Sequence, residues 1–330
     1  MIINFSPSFI GPQFIKIKGV LVSVDSPVLF IIFNRLETTK RVLTAIKRAK
    51  PKRLYIASDG GRNETEKGLV DDIREYVISE IGWDCNVKTL FREENWGCGQ
   101  NVSDSISWFF NEEEQGIILE DDCVPSDSFF EFCDELLLKY KYDTRICQIN
   151  GNNFGLTDFV LSEWDYHFCH YPQAWGWASW RRAWKDYSLL VSPDRIPRNI
   201  NSYKHLGWKK SDIKLQIHNW VRAGRSLDTW DYQWQYINQI QGNLAVVPKR
   251  NLISNIGDIG THFSSNDKRT FHLKAEEMNM PLKHPEFILI DSLIGRSYKK
   301  RMIKNSIKNR IVRFIGVSNF EFGKKLLGRG

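Results

Sequence analysis

Three consecutive acids, Glu120, Asp121 and Asp122, directly follow the short apolar run GIIL at 116–119. Like charges set this close repel one another, and the repulsion has to be relieved by a cation, by hydrogen bonds or by protonation. A divalent metal is the economical answer. Hard ions such as Mn2+ or Mg2+ take oxygen ligands and use only one or two carboxylates, with phosphate oxygens and water completing the shell. The pattern therefore predicts a nucleotide-diphosphate site. The same residues also fit a solvated acidic turn ahead of a helix N-terminus, whose dipole favours acids. Further on, His262 follows the glycine-rich stretch NIGDIGT at 255–261. Such a turn lets backbone and imidazole approach a diphosphate or its metal, or else bonds the histidine locally.

The elements that must position these groups read as α/β. From residue 28 onward, short apolar runs alternate with helical patterns, which predicts parallel strands with crossover helices. The run VLFIIF at 28–33 is a buried strand, and Thr38 or Thr39 is expected to cap a helix reaching residue 49. RLYIAS at 53–58 is a second strand, ending in Asp59-Gly60-Gly61. A helix near 66–80, a strand near 86–91 and a helix near 100–110 lead to the GIIL strand. Asp127 is expected to cap the next helix, through residue 140. Asp59 and the acidic triplet thus share the carboxyl ends of strands, where open α/β sheets bind ligands. Beyond residue 150 the pattern is irregular and aromatic, with nine of the twelve tryptophans between 164 and 234. This half is expected to add a second layer and a substrate face.

Composition closes off other classes. At 330 residues, 42% hydrophobic and 26% charged, with 22 Gly and 11 Pro, the chain is neither collagen-like nor disordered. Its longest apolar stretch is the six residues of VLFIIF, against roughly 20 for a membrane-spanning helix. The first residues are broken by Pro7, Gly11 and Pro12 and do not read as a signal peptide. The six cysteines form no CxxC pair, as expected of reduced core thiols in a cytoplasmic protein. Gly97-x-Gly99 lacks the third glycine of a dinucleotide fingerprint. His167 and His170, three apart on a strand-like segment, point to opposite faces and have no second ligand pair, which disfavours zinc.

Several further segments carry a resemblance. These are Phe33-Asn34-Arg35, Ser58-Asp59-Gly60, NWGCGQ at 95–100, and the block ILEDDCVPSDSFF at 118–130, together with Gly176-Trp177, Trp230-Asp231 and the Gly260-Thr261-His262 turn. Over residues 26–265 the chain resembles nucleotide-sugar glycosyltransferases of the GT-A fold, particularly the N-acetylglucosaminyltransferase I type and related bacterial polysaccharide transferases. The resemblance implies a Rossmann-like mixed sheet flanked by helices. It implies Asp122 as the ligand of Mn2+ or Mg2+ bridging a donor diphosphate, with His262 a second candidate. Glu120 and Asp121 would contact ribose or sugar hydroxyls, and Asn34, Arg35 and Asp59 the nucleotide. An inverting transfer also needs a base for the acceptor hydroxyl. Asp231 is the choice and Asp228 the fallback, because this chain has Tyr232 where the family often has a second acid. Among Trp175, Trp177 and Trp180, whose flat faces suit sugar rings, Trp177 and then Trp175 are the expected acceptor contacts.

The expected function is transfer of a sugar, from a UDP-sugar at first guess, to a glycan or lipid-linked oligosaccharide in bacterial surface polysaccharide assembly. A sugar nucleotidyltransferase and a non-catalytic glycan-binding or scaffold protein are the rivals. The expected divisions are an extension at 1–25, a transferase domain at 26–290 that splits near 150 into nucleotide-sugar and acceptor halves, and a basic tail at 291–330. Residues 296–330 hold 11 Lys/Arg and one acid, a charge of +10 that leaves −3 for the rest. The overall basicity is thus no sign of nucleic-acid binding. Within the tail, Ile303, Ile307, Ile311 and Phe314 lie on one helical face. Residues 299–314 are therefore expected to form a basic amphipathic helix able to rest on the anionic inner face of the plasma membrane.

Overall fold

The computed structural model describes residues 24–153, 155, 163–191, 196–197, 199–226, 229–257, 273–291 and 294. Asp228, His262 and the basic segment 299–314 lie outside them.

Five strands and four helices make up the first half: β1 (Val28–Ile32), α1 (Leu36–Ala49), β2 (Arg53–Ser58), α2 (Glu64–Ser79), β3 (Asn86–Phe91), α3 (Gly97–Glu112), β4 (Gln115–Glu120), β5 (Cys123–Pro125) and α4 (Asp127–Lys139). The second half contains β6 (Ile146–Asn150), β7 (Tyr166–Cys169), β8 (Trp177–Trp180), α5 (Arg181–Trp184), α6 (Lys210–Ser226), α7 (Asp231–Ile240), β9 (Leu244–Pro248) and β10 (Ile253–Asn255). Eight strands form one sheet in the order β3-β2-β1-β4-β8-β6-β9-β7, and β5 pairs with β10 in a separate ribbon. The first four strands are mutually parallel, whereas β8 runs antiparallel to both β4 and β6. The protein is thus α/β, with a mixed sheet flanked by helices.

Strand alternation explains the two layers. Val28, Phe30 and Ile32 of β1 join a core with Val42, Leu43 and Ile46 of α1, Ile73 and Val77 of α2, and Phe129 and Phe132 of α4. Leu29 and Ile31 face the other way, into a core with Val102, Ile106 and Phe109 of α3 and the tryptophans 177, 184, 230 and 234. Burial on both faces makes β1 apolar throughout, as parallel central strands are.

Two expected helix caps are corrected. Thr38 and Thr39 are already inside α1, their hydroxyls donating to the Arg35 carbonyl at 3.1 and 2.7 Å. The N-cap residue is Arg35, which makes no side-chain cap. Asp127 is the first residue of α4 and does not cap it. The Asp127 and Ser128 amides donate instead to Glu277 at 3.1 and 2.8 Å, a distant carboxylate at the positive end of the helix.

Candidate functional site

The connection from β1 to α1 is only three residues long, and it delivers Arg35 to the neighbouring β4. With strand order 3-2-1-4, the crevice between the carboxyl ends of β1 and β4 is the topological switch point where α/β sheets take ligands. There the Arg35 guanidinium bridges two members of the acidic block. It donates from Nε to Asp121 Oδ2 at 3.4 Å, from Nη2 to Asp121 Oδ1, and from Nη1 to Asp122 Oδ2 at 2.9 Å. The Asp121 side chain is 4% exposed and that of Asp122 15%.

One guanidinium does not neutralise three carboxylates. Burial, with Asp122 and Asp121 adding to it and Arg35 opposing, pushes the Glu120 carboxyl well above its usual range. Burial also raises Asp121, less strongly because Arg35 stands beside it. Without a cation the block relieves its repulsion through Arg35 and by favouring a proton on Glu120; a divalent ion is what would let all three acids stay ionised, the first condition for a resident cation.

The second condition is access and room at Asp122. Its Oδ1 accepts weakly from Asn255 Nδ2 at 3.3 Å and from the Cys123 thiol at 3.4 Å, and its carbonyl accepts from the Ile256 amide at 2.8 Å. The β5–β10 ribbon thereby brings Gly257 against the carboxylate, where a Cβ would sit 2.4 Å from Asp122 Oδ2 and 3.1 Å from Arg35 Nη1. Only glycine leaves this approach open. Carboxylate oxygens such as these are the donors a hard divalent ion takes. Among the described residues no three His, Cys, Asp or Glu side chains form a metal cage. An ion there would thus take its remaining ligands from phosphate oxygens and water.

Asp231, the expected base, opens α7 and accepts from the Thr229 hydroxyl. Its charge contributes to raising Glu120, so the start of α7 lies near the acidic block. Cys98, in the first turn of α3, is exposed at the same carboxyl end of the sheet.

Asp59 and Asn34 sit at the expected strand ends but are turned to structural use. Asp59 accepts from the Gly60 and Trp96 amides at 3.0 and 2.8 Å on Oδ1, and from the Gly97 amide and Asn95 Nδ2 at 2.9 and 3.1 Å on Oδ2. Each oxygen thus holds the start of α3 or the loop before it. Asn34 donates to Glu66 at 2.7 Å. Arg74 completes this scaffold, donating to the Ser58, Asp59 and Arg92 carbonyls.

The tryptophan expectation needs correction. Trp177 is 0% exposed, stacked on Trp230 at 5.7 Å, so it is core and touches no acceptor. Trp180 is likewise buried, donating to the Leu137 carbonyl at 3.1 Å. Trp175 is half-buried and keeps an accessible surface. His167 and His170 have separate partners, Asp291 and the Asn243 carbonyl. Glu66 and Arg92 had no role in the sequence reading, and Asn255, Gly257 and Cys98 stood inside quoted segments without a role of their own. The pairing of Asn255 and Gly257 with Asp122 joins segments more than a hundred residues apart, which leaves no local pattern.

No family model matches the chain, and no curated protein does. Among solved structures, it is similar to the mannosyltransferase PcManGT from Pyrobaculum calidifontis in complex with GDP-Man and Mn2+, at 10% identity over 66% of this chain and 69% of that one, TM-score 0.36. Mouse xyloside xylosyltransferase 1 in its apo form is 12% identical over 79% of this chain and 100% of that one, TM-score 0.33. HddC from Yersinia pseudotuberculosis is 12% identical over 37% of this chain, TM-score 0.26, and the match spans 57% of its length. Identities and scores of this size assign no activity to the chain and no role to any residue.

Proposed function

We propose that the protein is a metal-dependent, inverting glycosyltransferase. It moves a hexosyl or N-acetylhexosaminyl group from a nucleotide-diphosphate sugar, uridine nucleotides first, to a glycan or lipid-linked acceptor in bacterial surface polysaccharide assembly. The observation that supports this reading is the cluster at the switch point, with Arg35 in direct contact with Asp121 and Asp122 and Asp231 within electrostatic reach of Glu120.

In this reading Asp122, with Glu120 behind it, would hold Mn2+ or Mg2+, which when bound supplies Lewis-acid stabilisation of the departing diphosphate. Arg35, one third exposed, offers its guanidinium to the same phosphate oxygens. Asp231 accepts the proton of the acceptor hydroxyl as that oxygen attacks the anomeric carbon. The new glycosidic C–O bond forms as the bond to the β-phosphate oxygen breaks, and the electron pair leaves on the nucleoside diphosphate. Trp175 borders the acceptor, and residues 299–314 attach the chain to an anionic membrane surface. Among the described residues no helix is long and apolar enough to cross a membrane.

Product analysis tests the reading. Incubation with nucleotide sugars and Mn2+ is expected to release a nucleoside diphosphate in step with glycan extension. Formation of pyrophosphate from a sugar phosphate and a nucleoside triphosphate would mark a nucleotidyltransferase instead.

A further inference from the structure

Trp96 is an exposed aromatic with no part in the chemistry above. At 40% it is the most exposed of the twelve tryptophans, yet it is held from several directions. Its amide donates to Asp59 Oδ1 at 2.8 Å, the next amide donates to Asp59 Oδ2 at 2.9 Å, and Asn95 Nδ2 ties the loop to the Gly60 carbonyl at 2.7 Å. The Arg92 guanidinium lies over the indole, 3.7 Å from its centroid. Arg92 is itself anchored, with a side chain 9% exposed, by Asn101 at 3.0 Å and by Asp104. A cation covering one ring face leaves the exposure to the opposite face and the edge. The result is a flat surface immobilised in advance, which a planar ligand meets without the cost of ordering it.

We infer that Trp96, backed by Arg92, is the stacking platform for the nucleobase of the donor, an inference that rests on the nucleotide-sugar reading of the cleft. Strand order carries the argument. The acidic block ends β4, Arg35 follows β1, Asp59 follows β2, and Trp96 follows β3, in the spatial order 4-1-2-3. Neighbouring strands lie about 4.8 Å apart, so this row spans about 14 Å, a length on the scale of an extended nucleoside diphosphate. With the diphosphate at Asp122 and Arg35, the ribose crosses the end of β2 and the base arrives at the end of β3. The transferred sugar lies on the other side of the diphosphate, toward Asp231, so Trp96 meets the base and not the sugar. Trp96 directly precedes α3, at the same carboxyl end of the sheet as Arg35 and the acidic block. Ring-on-base stacking tolerates any base. Trp96 therefore sets affinity for the nucleoside part and leaves the choice of base to other groups.

Calorimetric titrations with Mn2+ test this, using uridine and guanosine diphosphates and inorganic pyrophosphate, which has no base. Trp96→Ala is expected to weaken nucleoside diphosphate binding about 5- to 100-fold and to leave pyrophosphate binding unchanged, while Trp96→Phe retains most of the nucleotide affinity. Unchanged nucleotide binding in Trp96→Ala overturns the platform. So does an equal loss of pyrophosphate, which would mark Trp96 as a support of the loop. Failure of the unaltered protein to bind either nucleotide overturns the nucleotide-sugar reading together with the platform, and is thereby told apart from failure of the platform alone.

Discussion

Arg35 is shared between Asp121 and Asp122, while burial among these acids holds the Glu120 carboxyl well above its usual range. Asp231, partnered by the Thr229 hydroxyl, lies near enough to add to that rise. Asp231→Asn removes the proposed proton acceptor at nearly constant shape. It is expected to lower kcat about 100- to 10,000-fold with the affinity for the metal–nucleotide pair retained; initial-rate kinetics beside a nucleotide titration check both. At this scale the sequence showed which residues gather, because acids and an arginine at strand ends advertise themselves by type and position. It did not show what they spend their atoms on. Asp59 looks from sequence like a ligand contact, and it accepts from its neighbour Gly60 and from three donors of the β3–α3 connection. Trp177 shares a motif with the half-buried Trp175 and lies wholly in the core; it opens β8, whereas Trp175 lies in the bend before the strand, a difference that residue type does not encode.

The element that finishes the site is the β5–β10 ribbon, three residues on each side. Strands this short carry too few residues to show a period, and the sequence gives no sign of either. Their antiparallel register, Cys123 opposite Asn255, sets Gly257 against Asp122. Gly257→Ala places a methyl within 2.4 Å of Asp122 Oδ2, so the carboxylate must shift. The expected result is at least a tenfold loss of Mn2+-dependent nucleotide affinity, a magnitude typical of disturbed metal-site geometry, with little change in Tm. Calorimetry and thermal melting of the variant measure the two. By contrast, β1, β2 and β4 were legible to within a residue at each end, since strands buried on both faces read as continuous apolar runs, and the helices between them to within about three residues.

Across the whole molecule the sheet joins a parallel first half, which follows from alternating strand and helix patterns, to a second half whose antiparallel insertion of β8 between β4 and β6 no local pattern announces. One contact linking strand end to helix also bears on global stability. Glu66 accepts from Arg62 and from Asn34 at 2.7 Å, and the hydrogen bond from Arg62, foremost, draws its carboxyl from 4.5 down to about 2. A carboxyl held lower in the folded than in the unfolded chain stabilises the fold fully above pH 4.5 and loses that contribution as pH falls toward 2. Glu66→Gln is therefore expected to destabilise the protein most near neutrality, with a gap to the unaltered protein that narrows by pH 3. Urea unfolding of both at pH 7 and pH 3 measures it, and an equal gap at the two pH values would contradict the assignment.

The central claim, a nucleotide site completed by a cation at Asp122, is tested most directly by thermal unfolding against a panel of nucleoside diphosphates and nucleotide sugars, each with and without Mn2+, for the unaltered protein and Asp122→Ala. A ligand at 100 times its Kd adds about 2.7 kcal/mol. The account predicts stabilisation by one nucleotide family that needs Mn2+ and is lost in Asp122→Ala, whose own fold stays intact. Stabilisation that is indifferent to the metal, or that survives in Asp122→Ala, or no stabilisation by any member of the panel, would contradict it.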